Sequence, residues 1–240
     1  MHDDPKAVET PDAPKPRPVH ELDGVVANLE LTVISIVQGM ALSFLVEGAR
    51  AIFVDGNLAA LPYVIAGLLI ACSLWTRAVL HALTVIRWPL ELEHNFLYFV
   101  AALFEAALFS QAGHPERWYP IGAVMVAVFW VMFFRERRMY RVRRVDSAGP
   151  AGAALLDLLE HEHELNTRYF MPALLLVWGV FTALVFGLPE VFLRGGWHVA
   201  LGVLQVLGLV AYLGHVRRFY VGITGRIVAA RREWETHADA

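Results

Sequence analysis

The sequence LAALPYVIAGLLIACSLWTRAVL, residues 58–80, contains one charged residue, Arg77, in an otherwise uncharged run. The hydrocarbon core of a bilayer is about 30 Å thick, and about 20 apolar helical residues cross it. Because lipid offers no hydrogen-bond partner to a backbone amide, such a segment must be helical. Similar stretches lie at 29–46, 95–111, 120–134, 170–188 and 197–214. The sequence therefore predicts an all-α polytopic membrane protein with a bundle of six transmembrane helices.

The composition agrees with a membrane location. Hydrophobic residues make up 57% of the 240 residues, and the mean hydropathy is +0.50. A soluble domain has roughly 45–50% apolar residues. The single cysteine, Cys72, lies inside the second predicted span, so a disulfide framework is excluded.

Three regions are predicted along the chain. Residues 1–27 form an acidic, proline-rich cytoplasmic tail that we expect to be disordered and that lacks the pattern of a signal peptide. Residues 28–215 form the transmembrane domain, which includes a cytoplasmic linker at 135–168. Residues 216–240 form a basic C-terminal helix. Two short cytoplasmic amphipathic helices are expected, at 152–166 and 216–235, and either could bind a cytoplasmic protein partner.

Arginine decides the predicted orientation. The segments after spans four and six are rich in arginine, whereas each loop on the other side has one. The arginines of these segments include Arg135, Arg137, Arg138, Arg141, Arg143, Arg144, Arg217, Arg218, Arg226, Arg231 and Arg232. Positive charge stays on the cytoplasmic side. Both termini are therefore expected in the cytoplasm of a bacterium, with the chain in its inner membrane. The arginines would attract anionic lipid, by about 1 kcal/mol each near the surface.

Glu105 is the clearest candidate for a functional residue, because ionisable groups inside spans are rare and costly. It must face the bundle interior, pair with a cation or hold a proton. Arg77 is its possible counter-ion. Counting from the inner turn gives the two residues an axial offset of about 6 Å, and counting from the outer ends gives nearly 20 Å. An unpaired Arg77 would snorkel to the inner interface.

A polar stripe runs along the first span. Its members recur at helical spacing with Gln38 beside them and Glu30 near one end; they are Asn28, Thr32, Ser35, Gly39 and Ser43. Such a stripe can line a pore or cavity. It can also be a seam between helices, because small and hydroxylated residues allow close approach.

Histidines are the third group of candidates. His81, His94 and His215 all lie near predicted cytoplasmic ends of spans. If they converge, they could form a metal or haem site or a proton relay. The sequence has no HExxH or CxxC motif to support a specific metal site, so no cofactor is predicted.

The start of the first span resembles one known family. Asp23-Gly24-Val25-Val26-Ala27, followed by Thr32, is similar to the opening of the first helix in six-span cation channels that begin with Phe-Ser-Asp-Gly. The resemblance implies a channel with cytoplasmic termini. It is confined to residues 23–32, and His20-Glu21-Leu22 replaces the expected Phe-Ser.

The sequence leaves three classes of function open. The first is a homo-oligomeric ion channel or transport-type protein. The second is a non-catalytic scaffold or sensor whose cytoplasmic helices bind a partner, and the third is a membrane redox or metal-binding subunit. No Walker A loop, GxGxxG, GxSxG or nucleic-acid-binding module occurs, so an enzyme is less expected than a transport-type protein.

Overall fold

All regular structure in the described backbone is helical. The computed structural model describes the backbone of residues 19–84, 92–145 and 150–238, and these ranges contain no strand. Seven α-helices follow one another: α1 Val19–Val54, α2 Leu61–Thr84, α3 Leu92–Phe109, α4 Pro115–Val145, α5 Pro150–Leu165, α6 Met171–Gly187 and α7 His198–Ala238. The all-α prediction is confirmed. Residues 1–18 of the predicted tail lie outside the described residues.

Five segments are long and apolar enough to cross a bilayer, which makes the chain a multi-pass membrane protein. They are Gly24–Val54, Leu58–Ala82, Pro115–Glu136, Pro150–Gly187 and His198–Ala230. The remaining predicted span falls in a shorter apolar helix, Asn95–Phe109. Large apolar side chains such as Ile36, Leu103 and Leu207 are exposed on the surface of the single chain, which is the pattern of a protein solvated by lipid.

Several helices are longer than the apolar stretches alone indicate. α1 begins at Val19, so residues 19–28 extend the first predicted span as helix toward the N-terminus. The proline-rich stretch ends at Pro18 and no further proline occurs before Pro62, so every residue of α1 keeps its amide hydrogen. α7 continues from the last predicted span through the basic C-terminal segment to Ala238.

The predicted linker helix is continuous with the fifth predicted span. α5 runs into α6 through a wide π-helical turn, Asn166–Phe170. Pro172 follows directly, and because it has no amide hydrogen it cannot make the α-helical bond to Arg168. A π-turn of this kind marks functional sites in many helices.

The bundle has two ends of different character. Short connections at 55–60, 110–114 and 188–197 meet at one end, which we call the loop end, because helices joined by short loops run antiparallel. The opposite end contains the end of α4 and the second half of α7, and we call it the basic end. The core near the loop end is aromatic: Trp118 stacks on Trp178 with ring centroids 6.4 Å apart, and Tyr119 meets Phe181 at 5.5 Å.

A second apolar cluster joins α5 to the far half of α7. Leu155, Leu156 and Leu159 are buried against Ile223 and Ala230. The two segments predicted as cytoplasmic helices therefore pack on each other at the basic end.

Candidate functional site: a polar cavity inside the bundle

A polar cavity of about 80 Å³ lies where α1, α2, α3, α4, α5 and α7 meet. One water molecule needs about 10–15 Å³ of such space, so the cavity has room for several. Its ionisable and polar lining residues are Glu30, Gln38, Arg77, His81, Tyr98, Glu105, Glu136, Glu162 and His163. The arrangement places ionisable groups of five helices, α1 to α5, around one shared volume, and α7 contributes Val216 and Phe219.

Glu105 faces this cavity and is 1% exposed. Its helix presents Ala101 and Leu108 to the bundle, and Glu105 lies on the same face at i+4 and i−3 spacing. The amide Nε2 of Gln38 donates a 2.8 Å hydrogen bond to Glu105 Oε2. Glu105 Oε1 and Gln38 Oε1, both buried, have no hydrogen-bond partner among the described residues. Two acceptor oxygens are therefore available to water or a cation in the cavity.

Arg77 forms part of the cavity wall between α4 and α7. Its Nη1 donates a 2.9 Å hydrogen bond to Tyr212 Oη, and its guanidinium carbon lies 4.3 Å from the centroid of the Phe133 ring. A cation over an aromatic face is attracted by the ring quadrupole. Arg77 and Glu105 thus line one cavity while each is hydrogen-bonded to another residue.

A buried histidine and a buried glutamate lie deeper toward the basic end. The side chains of His163 and Glu136 are 1% and 8% exposed, with Nδ1 of the histidine 3.7 Å from Oε2 of the glutamate. His163 Nε2 hydrogen-bonds to the backbone oxygen of Phe133, and the two rings stack at 5.2 Å. The histidine is thereby held in one orientation.

A second histidine–glutamate pair connects the cavity to the surface. Nε2 of His215 lies 2.9 Å from Oε1 of Glu162, and the two side chains are 42% and 15% exposed. Asn166 Nδ2, at the start of the π-turn, donates to the backbone oxygen of Glu162 at 2.7 Å and to its Oε1 at 3.2 Å. Phe170 covers the His215 ring at 5.6 Å.

The predicted stripe on α1 lies on the outer surface of the single chain. Asn28, Thr32, Ser35, Gly39 and Ser43 are all exposed. The three hydroxyl groups donate to carbonyl oxygens of their own helix at 2.7–2.8 Å. The buried face of α1 is a different one, and it carries Glu30, Ile34, Gln38, Ala41 and Leu45.

The structure separates the predicted histidines. His81 is buried and lines the cavity, His215 contacts Glu162, and the His94 side chain lies outside the described residues. Within the described residues, no group of three or more His, Cys, Asp or Glu side chains could hold a metal ion.

Sequence reasoning missed Tyr98 and Glu136 as site residues, and it placed Glu162 and His163 in a cytoplasmic helix instead of at this cavity. Glu136 lies two residues beyond the predicted end of the fourth span, beside arginines that indicated a solvated linker. One clue was present, because Glu162 shares the helical face of Leu155 and Leu159 at i+7 and i+3 spacing.

Comparison of the chain with protein-family models, with curated proteins and with solved structures finds no match. Among the described residues, the cavity holds four carboxyl groups and one guanidinium. Such a volume favours bound protons or a cation over an anion.

Proposed function

We propose that the protein is a transport-type protein of a bacterial inner membrane, in which a cation binds at Glu105 in the cavity between the helices. The observation that carries this proposal is the buried carboxyl oxygen Glu105 Oε1, which faces the cavity without a hydrogen-bond partner among the described residues. A carboxyl group in the membrane interior is costly and is kept where an ion or proton pathway needs it.

The balance of charge around the cavity supports a cation as the bound species. Among the described residues, Glu30, Glu105, Glu136 and Glu162 line it together with one arginine, Arg77. Low-dielectric walls strengthen the field of such a cluster, and that field concentrates cations and excludes anions.

We further propose that the chain crosses the membrane six times and assembles with copies of itself through α1. The stripe of small and hydroxylated residues is exposed in the single chain, and a Cβ added at Gly39 would meet nothing within 4 Å. Small residues let helices approach closely in lipid, which favours a helix–helix seam on this face. The inward polar residues of α1, Glu30 and Gln38, serve each protomer's own cavity.

The basic end is proposed to face the cytoplasm, with both termini on that side. Arg217, Arg218 and Arg226 are exposed on α7. Positive charge is retained on the cytoplasmic side, and each arginine near anionic headgroups contributes about 1 kcal/mol. The apolar face of α5 is less suited to a protein partner, because Leu155 and Leu159 are buried against α7.

The test is ion flux into vesicles reconstituted with purified protein. We expect gradient-driven uptake of a cation (H⁺, Na⁺ or K⁺) by the wild type and loss of most of that uptake in Glu105→Gln, which keeps the shape of the side chain. Glu47→Gln is the matched control, because Glu47 is an exposed residue of α1. Its uptake should equal that of the wild type.

Two results would overturn the proposal. One is a folded wild-type protein that moves none of these cations at any applied voltage or pH. The other is uptake that Glu105→Gln leaves unchanged. If the wild type moves no cation, loss of cellular function on deleting α5, with the remaining helices intact, would favour the scaffold hypothesis.

A further inference from the structure

We propose that the cation handled by the cavity is the proton, and that the His215–Glu162 pair delivers it from water at the basic end. This inference rests on the proposed function and names its substrate. It starts from a gradation of exposure in three steps toward the interior. His215 is the most exposed, at 42%, Glu162 follows at 15%, and Glu105 is 1% exposed.

The outer step is a direct hydrogen bond. His215 Nε2 and Glu162 Oε1 are 2.9 Å apart, a distance at which a proton passes from nitrogen to oxygen without large movement. The face of the imidazole ring lies against Phe170, so the ring is oriented while 42% of the side chain is exposed on the surface of the chain. An imidazole can receive a proton from water in the range of physiological pH.

The middle step is the position of Glu162. The residue contacts His215 and also lines the cavity, so its carboxyl group connects the surface to the interior. Asn166 holds it through two hydrogen bonds, to the backbone oxygen and to Oε1. The π-turn that begins at Asn166 places this amide where it can donate to Glu162.

The inner step crosses the cavity, whose 80 Å³ has room for bridging water. The ionisable groups that face this volume come from five helices: Glu30 from α1, Arg77 and His81 from α2, Tyr98 and Glu105 from α3, Glu136 from α4, and Glu162 and His163 from α5. From α7, Tyr212 and His215 contact two of these groups, Arg77 and Glu162. Glu105 Oε1, which has no partner among the described residues, is the acceptor at the far side.

The transfer balances at each step. The imidazolium of His215 gives the proton on Nε2 to Oε1 of Glu162 and becomes neutral, and it takes a new proton from water at the basic end. The carboxylic acid of Glu162 gives its proton to cavity water and returns to carboxylate. That water passes a proton to Oε1 of Glu105, so one proton has moved and the relay groups are restored.

A proton fits this route better than a metal cation does. Protons move along hydrogen bonds, whereas Na⁺ or K⁺ needs a continuous opening past His215 and Phe170.

The experiment uses vesicles that hold wild-type or variant protein and a pH-sensitive dye. A potassium diffusion potential drives protons inward, and the dye reports the acidification inside the vesicles. Sodium and potassium fluxes are recorded in parallel. His215→Gln keeps a hydrogen-bond donor toward Glu162 and cannot carry a proton, so proton flux should be lost. His114→Gln is the control, because His114 forms a comparable exposed pair with Glu116 at 3.6 Å, at the loop end.

Chemical rescue separates a relay from a structural role. We expect His215→Ala to lose proton flux and to regain it when imidazole is added to the buffer. Proton flux that survives unchanged in both His215 variants overturns the delivery route, and Glu105-dependent flux of Na⁺ or K⁺ without protons overturns the substrate assignment. The proposed function stands in either case, and it fails only if no cation moves at all or if flux is independent of Glu105.

Discussion

At the scale of single residues, Gly122 determines how closely α4 and α6 pack. A Cβ at this position would overlap the six-membered ring of Trp178. Trp178 is buried and cannot turn away, because Trp118 stacks on it and Tyr119 meets its edge. The absent side chain of the glycine is therefore a packing requirement of the aromatic core.

Gly122→Ala should destabilise the protein. Overpacking of this kind costs about 1–3 kcal/mol, which lowers the unfolding temperature measured in detergent. Gly179→Ala on α6 is the control, since nothing lies within 4 Å of its added Cβ and alanine favours a helix by up to about 1 kcal/mol. Gly122→Ala combined with Trp178→Leu should regain stability. Equal unfolding temperatures for wild type and Gly122→Ala would contradict this account.

At the scale of elements, the exposed face of α1 predicts a specific defect in assembly. Gly39→Leu adds a side chain to open space in the single chain, so folding should be retained. On a close helix–helix seam the same side chain would force the helices apart. We expect the oligomer to dissociate, as judged by light scattering on size-exclusion fractions in detergent. Met40→Leu, on a neighbouring exposed position, should leave assembly unchanged, and a Gly39→Leu oligomer of wild-type mass would refute the seam.

The packing of α5 on α7 supports a second prediction at this scale. Leu155→Ala removes a buried side chain from the contact, and a Leu→Ala change of this kind costs about 2–5 kcal/mol. The far half of α7 should then open locally and be cut faster by trypsin at the exposed Arg226. Val228→Ala truncates an exposed side chain of the same helix and should leave the rate unchanged. Equal cleavage rates for both variants would show that α5 does not hold α7.

Hydropathy predicts where the helices lie better than it predicts which face of each helix is buried. The all-α fold and the five long apolar helices follow from runs such as 58–80, because an apolar segment in lipid must be helical. The inward face of α1 could not be read from its polar stripe, since serine and threonine satisfy their hydroxyl groups on their own helix and can face outward. Glu136 was missed because it sits beside arginines, and the burial of His163 in the linker helix is revealed only by tertiary packing.

At the scale of the whole molecule, the bundle has an aromatic half at the loop end and a half at the basic end that contains the cavity. The loop end is filled by aromatic rings, with Tyr63 bonded to the backbone oxygen of His198 at 3.1 Å, whereas the basic end encloses the cavity. Ions can then reach the cavity only from the basic end, unless the aromatic core at the loop end rearranges. The uptake rate in vesicles should therefore depend on which end of the protein faces the medium.

The number of crossings is tested by asking which loops share a side of the membrane. α3 has 18 residues and is about 27 Å long, just under the thickness of a hydrocarbon core of about 30 Å. If α3 crosses, the loops at Asn57 and His114 lie on one side, and Arg226 lies on the other. In a Cys72→Ser background, Asn57→Cys and His114→Cys should react with an impermeant maleimide on intact cells. Arg226→Cys should react only after permeabilisation. Labelling of Asn57→Cys together with Arg226→Cys on intact cells, with His114→Cys protected, would mean that α3 does not span. Glu105 would then lie outside the membrane interior, where a buried carboxyl group is most costly.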